Sequence, residues 1–132
     1  MIEVIVTYSK KTRRSGSEFY IYKDVLIKGH SSDGTMNSIK CCAGVTAITC
    51  GLINLLDDYT CRVEINKGYF HYHMINLDRE INYAINALVY QIDSISMIYP
   101  QYFNIQFKEI EFNGEENWKQ LGILTSPQNK NS

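Results

Sequence analysis

One histidine and one cysteine lie twelve residues apart in a segment that could bring them together. His30 closes a strand-like stretch, and Cys42 opens a helix-like stretch after a polar loop. The thiolate is the reactive form of cysteine, and both a helix N-terminus and a nearby imidazolium lower the pKa of a thiol. A histidine is the usual activating partner. The spacing therefore favours nucleophilic catalysis, with the backbone N–H groups of Cys42 and Ala43 at the helix start holding an oxyanion.

Residue type alone leaves a plainer interpretation open for both residues. Cysteine is among the most buried residue types and usually packs as a small hydrophobe. A histidine at a strand end can be an imidazole exposed to water and nothing more. The position of Cys42, after a Gly- and Ser-bearing loop, is what favours a reactive thiol.

Length and composition indicate one globular domain. The chain has 132 residues, of which 45% are hydrophobic and 20% charged, so it can bury a core without disulfides or metals to stabilise it. A net charge of −1 argues against direct nucleic-acid binding. The first residues read as a strand rather than a signal peptide, and the longest uncharged run, 41–56, is shorter than the roughly 20 residues of a spanning helix. These features predict a cytoplasmic protein with no membrane partner.

The four cysteines are expected to be free thiols. They are Cys41, Cys42, Cys50 and Cys61, and no pair of them has the C-x-x-C spacing of a zinc site. Zinc spacing is therefore absent, and no metal site is expected from the cysteines.

Hydrophobic periodicity predicts an α+β fold. It predicts strands at 2–8, 18–29, 61–66, 69–75 and 103–112, and helices at 41–58 and 77–98. A basic turn at 9–17 and the pair Lys67-Gly68 would each close a hairpin. The order ββαββαβ indicates a small antiparallel or mixed sheet of about five strands with two main helices. Residues 1–112 form the predicted domain, and 113–132 a polar C-terminal extension that is partly disordered.

The segment around the cysteine resembles the signature of the ribosomal-processing cysteine proteases, the Prp family. In that family a Gly-His pair precedes a Cys-Ala-(Ala/Gly)-Val-Ser-Ala run at the same separation. Here Gly29-His30 precede Cys42-Ala43-Gly44-Val45-Thr46-Ala47. The resemblance continues through the second hairpin, 63–70, and through Tyr99-Pro100-Gln101-Tyr102, and it spans about residues 2–112.

This resemblance implies a fold, an activity and a set of site residues. The fold is α+β, usually in a homodimer. The activity is that of a cysteine endopeptidase which removes a short N-terminal leader from large-subunit ribosomal protein number twenty-seven, after an aromatic residue, without a cofactor. Cys42 would be the nucleophile and His30 the general base. The substrate-binding or supporting residues would be Gly29, Ser31, Asp33, Gly34, Ala43 and Thr46.

The sequence also departs from the family pattern. The family usually has Gly-x-Asp-Ile-Val before the cysteine, and here Ile39 stands in place of the Asp. Asp33 is the only loop carboxylate and does not align with it. A catalytically silent ribosome-associated binding module, using the basic cluster Lys10, Lys11, Arg13 and Arg14, therefore remains an alternative.

Two further alternatives concern the thiols. Cys41 could be the nucleophile, but the following Ala-Gly-Val-Thr run would then fall out of register with the family. A redox or metal site could combine Cys41, Cys42 and a histidine. His71 and His73 alternate along one strand and so share a face, which suits metal binding or simply a solvated sheet surface.

Overall fold

The computed structural model describes residues 1–30 and 33–111. Two helices and a five-stranded sheet form in the predicted order ββαββαβ, so the α+β prediction is confirmed. The predicted extension, 113–132, lies outside the described residues. The strands are β1 (Ile2–Thr12), β2 (Glu18–Lys28), β3 (Cys61–Asn66), β4 (Tyr69–Met74) and β5 (Phe103–Glu109). The helices are α1 (Met36–Ile53) and α2 (Arg79–Ile98), and a short 3₁₀ turn, Pro100–Tyr102, precedes β5.

The sheet is mixed, with strand order β3-β4-β2-β1-β5. Neighbours pair antiparallel except β5, which runs parallel to β1. Alternation along β1 turns Ile2, Val4 and Val6 into the core. The core of the described residues therefore lies on one face of the sheet, beneath the helices.

Helix α2 has the clear amphipathic pattern that the sequence predicts. Its buried stripe includes Ile81, Ile85, Leu88 and Ile92, and the side chain of Asp78 caps its N-terminus by accepting from the N–H of Ile81 over 2.9 Å. A helix with one apolar stripe packs that stripe on the sheet and leaves the rest in water.

The Asn82 side chain satisfies part of one edge of β2. Strand β4 pairs with β2 only from Asp24 to Lys28, so the earlier part of that edge needs another partner. The Asn82 amide oxygen accepts from the N–H of Tyr22 over 3.0 Å, and its amide nitrogen donates to the Tyr20 carbonyl over 2.9 Å. Buried backbone polar groups are costly without partners, so this side chain replaces a strand locally.

Helix α1 begins and ends earlier than the sequence predicts. It starts at Met36 rather than Cys41, because the Thr35 side chain caps it by accepting from the N–H of Ser38 over 3.2 Å. It ends at Ile53 rather than at Asp57-Asp58. The Asp57 carboxylate instead accepts from the N–H groups of the next turn, which leads into β3.

Helix α1 buries one stripe of its side chains. Cys41, Val45 and Leu52 are buried, and Gly44 lies so close to α2 that an added Cβ would meet the Ile95 side chain at 3.3 Å. By length and composition alone, α1 could also cross a membrane. In the structure 28% of this segment is buried, along one stripe of the helix, so α1 is not buried on several sides.

Strand β1 is longer than predicted and takes in part of the basic turn. Lys10 and Lys11 lie in the strand and form ion pairs over 3.6 Å with Glu18 and Glu111. The guanidinium of Arg13 lies 4.3 Å from the centre of the Phe19 ring. Much of the basic cluster therefore has partners within the domain, which weakens the proposal that it binds an external acidic partner.

Candidate active site

A groove of about 950 Å³ brings the predicted catalytic residues together. It lies between α1, the end of β2 and the turn joining β3 to β4. His30 and Cys42 both line it, together with the predicted supporting residues Gly29, Ala43 and Thr46. Its apolar lining includes Ile2, Ile27, Ile39, Val45, Ile65 and Phe70.

His30 is held where β2 ends. The strand stops at Lys28, and the N–H of Gly29 then donates to the Gly68 carbonyl over 3.0 Å. Gly29 has a φ of +98°, and a Cβ there would overlap the Met1 carbonyl oxygen. Only glycine fits this turn without strain, and the turn directs the next residue, His30, into the groove.

Cys42 lies in the second turn of α1 and not at its start, contrary to the sequence prediction. Its side chain is half-buried and faces the groove. Within an α-helix the N–H groups of Cys42 and Ala43 bond to carbonyls four residues earlier. The prediction that these two N–H groups hold an oxyanion is therefore wrong, because the helix already uses them.

The neighbouring thiol, Cys41, is in a different environment. It is 1% exposed and packs in the core. Burial, with smaller contributions from Cys42 and Asp33, raises the pKa of the Cys41 thiol. Because a raised pKa keeps the thiol protonated, the structure favours Cys42 over Cys41 as the nucleophile.

A hydrogen-bond network holds the start of α1. Asp33 Oδ1 accepts from the N–H and the hydroxyl of Thr35 over 2.9 and 2.7 Å, and Asp33 Oδ2 accepts from the Tyr102 hydroxyl over 2.8 Å. The Thr35 N–H, then the Thr35 and Tyr102 hydroxyls, lower the pKa of the Asp33 carboxyl. The network anchors Asp33 and Thr35, which lie directly before α1.

The remaining predicted loop residues lie away from the groove lining. Asp33 and Gly34 are exposed, and neither is among the groove residues. Ser31 lies outside the described residues. Ile39, which replaces the family's Asp, does line the groove and adds apolar surface there.

The two strand histidines form a separate cluster with Asp24. His71 Nε2 and His73 Nδ1 lie 3.0 and 2.8 Å from Asp24 Oδ1, while the alternate β4 residues face the core. Cys61 is buried in that core, so it lies on the other face of the sheet from the histidines. Within residues 1–30 and 33–111, no three His, Cys, Asp or Glu side chains come together to hold a metal. The structure gives the thiol–metal alternative no support.

Sequence reasoning missed one residue that lines the groove and one that supports the start of α1. Gly68 was interpreted only as a hairpin turn, yet the His30 ring lies against it. Tyr102 appeared only as part of a motif, yet its hydroxyl bonds Asp33. Both are long-range contacts, and no local pattern in the sequence signals them.

Comparison with known proteins agrees with this architecture. A family model described as the cysteine protease Prp matches residues 1–104. Two crystal structures of the essential ribosomal processing protease Prp from S. aureus, one with a substrate peptide and one with a covalently linked product peptide, each have a TM-score of 0.61 and 23% identity. Each match covers 82% of this chain and 100% of the other.

A third structure, SMU.848 from Streptococcus mutans, also has a TM-score of 0.61, at 18% identity. That match covers 83% of this chain and 96% of the other. At these identities the solved structures show the shared fold. No curated protein sequence matches this chain.

Proposed function

Because the chain belongs to the cysteine protease Prp family, we propose that it is an endopeptidase that removes the N-terminal leader of large-subunit ribosomal protein number twenty-seven. One observation supports this most directly: His30 and Cys42 line one groove within the family-matched region. The S. aureus relative is described as a ribosomal processing protease. A ribosomal-protein substrate would place the enzyme in the cytoplasm.

We propose a dyad mechanism with these two residues. The imidazole of His30 takes the Cys42 thiol proton, and the thiolate adds to the scissile carbonyl carbon. As the tetrahedral intermediate collapses, the C–N bond breaks and the imidazolium returns the proton to the leaving amine. Water then adds to the thioester, with His30 as base, and its hydrolysis releases the leader carboxylate and the thiol.

The lining of the groove suits the leader that the family relationship implies. Its floor is formed by aliphatic and aromatic side chains, among them Ile27, Val45 and Phe70. Burying an aromatic side chain against such a surface is favourable, at about 25 cal/mol per Å² of apolar area. We therefore expect the aromatic residue before the cleaved bond to bind here, with Ile39 adding to the contact.

Intact-mass analysis of the host's precursor after incubation with the enzyme tests this function. Wild type should release the leader, whereas Cys42→Ser should bind the precursor without cutting it and His30→Ala should cut it far more slowly. His73→Ala, on the other face of the sheet, is the matched control and should still cut. A wild-type protein that leaves the precursor intact would refute the proposal.

The silent binding module is the second candidate function. The observation that favours it is Ile39, an apolar residue where the family usually has Asp. Under this alternative, the protein binds ribosomes through the basic cluster Lys10, Lys11, Arg13 and Arg14, and neither wild type nor Cys42→Ser changes the mass of the precursor. Release of the leader by wild type but not by Cys42→Ser would exclude the silent binding module.

We also infer that the protein acts as a symmetric dimer. Helix α2 packs against α1 at Gly44, where an added Cβ would meet the Ile95 side chain. Large apolar side chains nevertheless stay exposed on the two helices, among them Met36, Tyr90 and Met97. A self-complementary contact would bury such side chains. Light scattering that finds a monomer at micromolar concentration would refute the dimer.

A further inference from the structure

The His30 imidazole occupies the space where most residues at position 68 would have a side chain. A Cβ built on Gly68 would overlap the ring edge formed by Nε2 and Cε1, and it would lie 3.1 Å from Cδ2. Real Cβ atoms do not come so close to other heavy atoms. The ring therefore lies directly against the backbone of the turn between β3 and β4.

The backbones of these two segments are also tied together. The antiparallel ladder of β2 and β4 ends at the pair Lys28 and Tyr69. One step beyond, the N–H of Gly29 donates to the Gly68 carbonyl over 3.0 Å. The residue before His30 and the residue under its ring are thus fixed by the same hydrogen bond.

Two separate physical demands select glycine at position 68. Its φ of +69° lies in the left-handed region, which favours glycine and tolerates asparagine. The second demand is space for the imidazole, and asparagine fails it because it has a Cβ. A turn conformation alone would not distinguish these two residues strongly.

We propose that Gly68 is a positioning residue for the catalytic base. By lacking a side chain, it leaves room for the imidazole against the turn between β3 and β4, where His30 lines the same groove as Cys42. The proposal rests on the dyad function proposed above. Gly68 acts through His30 and need not contact the substrate.

The chain offers a matched control in its other hairpin. Gly16 also has a positive φ, +95°, and a Cβ there would meet nothing within 4 Å. Gly16→Asn therefore adds a side chain to a hairpin turn without displacing a neighbour. Gly68→Asn adds the same side chain and displaces His30.

Cleavage kinetics of these two variants test the proposal. For Gly68→Asn we expect kcat to fall about 100-fold, the lower end of the contribution of a general base, while KM changes less than about threefold. Gly16→Asn should keep wild-type values. Equal kinetics for the two variants would overturn the proposal.

A double mutant separates positioning from a general structural role. If Gly68 acts through His30, Gly68→Asn should cause no further loss in a His30→Ala background. An additive loss would overturn the proposal. Should Gly68→Asn fold poorly, Gly68→Ala in the same two backgrounds gives a second version of this comparison.

An NMR measurement tests the contact between the His30 ring and Gly68 (the seat) even if the protein cuts no precursor. Wild type should show nuclear Overhauser contacts between the His30 ring protons and the Gly68 α protons, and Gly16→Asn should keep them. Their absence in wild type would overturn the seat itself. Their presence in a protein that does not cleave would refute the proposed function and leave the seat standing.

Discussion

The Tyr102 hydroxyl donates to Oδ2 of Asp33 over 2.8 Å, linking the turn after α2 to the loop before α1. Thr35, which caps α1, bonds the same carboxylate through both its N–H and its hydroxyl. Because α1 holds Cys42, this network supports the start of the helix that carries the proposed nucleophile. The N-cap of α1 at Thr35 and the bond from Tyr102 to Asp33 therefore share one carboxylate.

We predict that Asp33→Asn destabilises the protein near neutral pH and has a smaller effect in acid. The pKa of Asp33 is lowered in the folded state, so its stabilising contribution is present above about pH 5 and is lost as the pH falls through that lowered pKa. The melting temperature of the variant should be lower than that of wild type at pH 7, and the difference should shrink in acid. Asp58→Asn, at an exposed position outside this network, is the control. A difference that does not vary with pH would contradict the prediction.

Brief labelling with iodoacetamide at pH 7 should modify Cys42 first. Cys41 and Cys61 are buried, and burial raises the pKa of both thiols, so less thiolate is present at either position. Cys50 is exposed and serves as the internal reference for an accessible thiol without a histidine partner assigned to it. Peptide mapping measures all four rates. If Cys41 is labelled before Cys42, the assignment of Cys42 as the nucleophile is wrong.

His30→Ala should lower kcat by about 10²- to 10⁴-fold, the range that a general base contributes. The folded state should survive, because His30 is exposed and contributes little packing. Steady-state cleavage and a thermal melt measure the two effects. If His30→Ala cuts the precursor at the wild-type rate, the dyad is wrong.

Asn82→Ala should lower the free energy of unfolding by about 1–3 kcal/mol. The substitution leaves the Tyr22 N–H and the Tyr20 carbonyl without the partner that replaces a strand at this edge. Urea denaturation measures the change, and Asn104→Ala, at an exposed position on β5, is the control. Equal losses for the two variants would show that the edge bonds contribute little.

Periodicity predicted the elements well and their ends less well. The hairpin of β3 and β4 is nearly where the sequence placed it, because alternation and a glycine turn are local signals. The start of α1 was missed because its first turn, from Met36 to Lys40, is mostly polar and resembles a loop. The available signal was Thr35 as an N-cap, followed three residues later by Ser38, and it is weaker than a capping box with Glu or Gln.

The same limit applies to the groove. Residue types and spacing pointed to His30 and Cys42, and the structure places both on one groove. Their surroundings depend on contacts between distant segments, such as Gly68 under the imidazole. Such contacts follow from strand register, which a single sequence does not specify.

The parallel pairing of β1 with β5 governs when this protein can finish folding. Ile2 pairs with Phe103, so the first strand to leave the ribosome waits for almost the last described segment before its second edge is filled. Contacts between such distant segments slow folding and leave a strand edge open in the meantime. We therefore expect a chain that ends before residue 103 to aggregate more readily than one that includes β5. The enzyme can protect the edge of its first strand only after β5 has been synthesised.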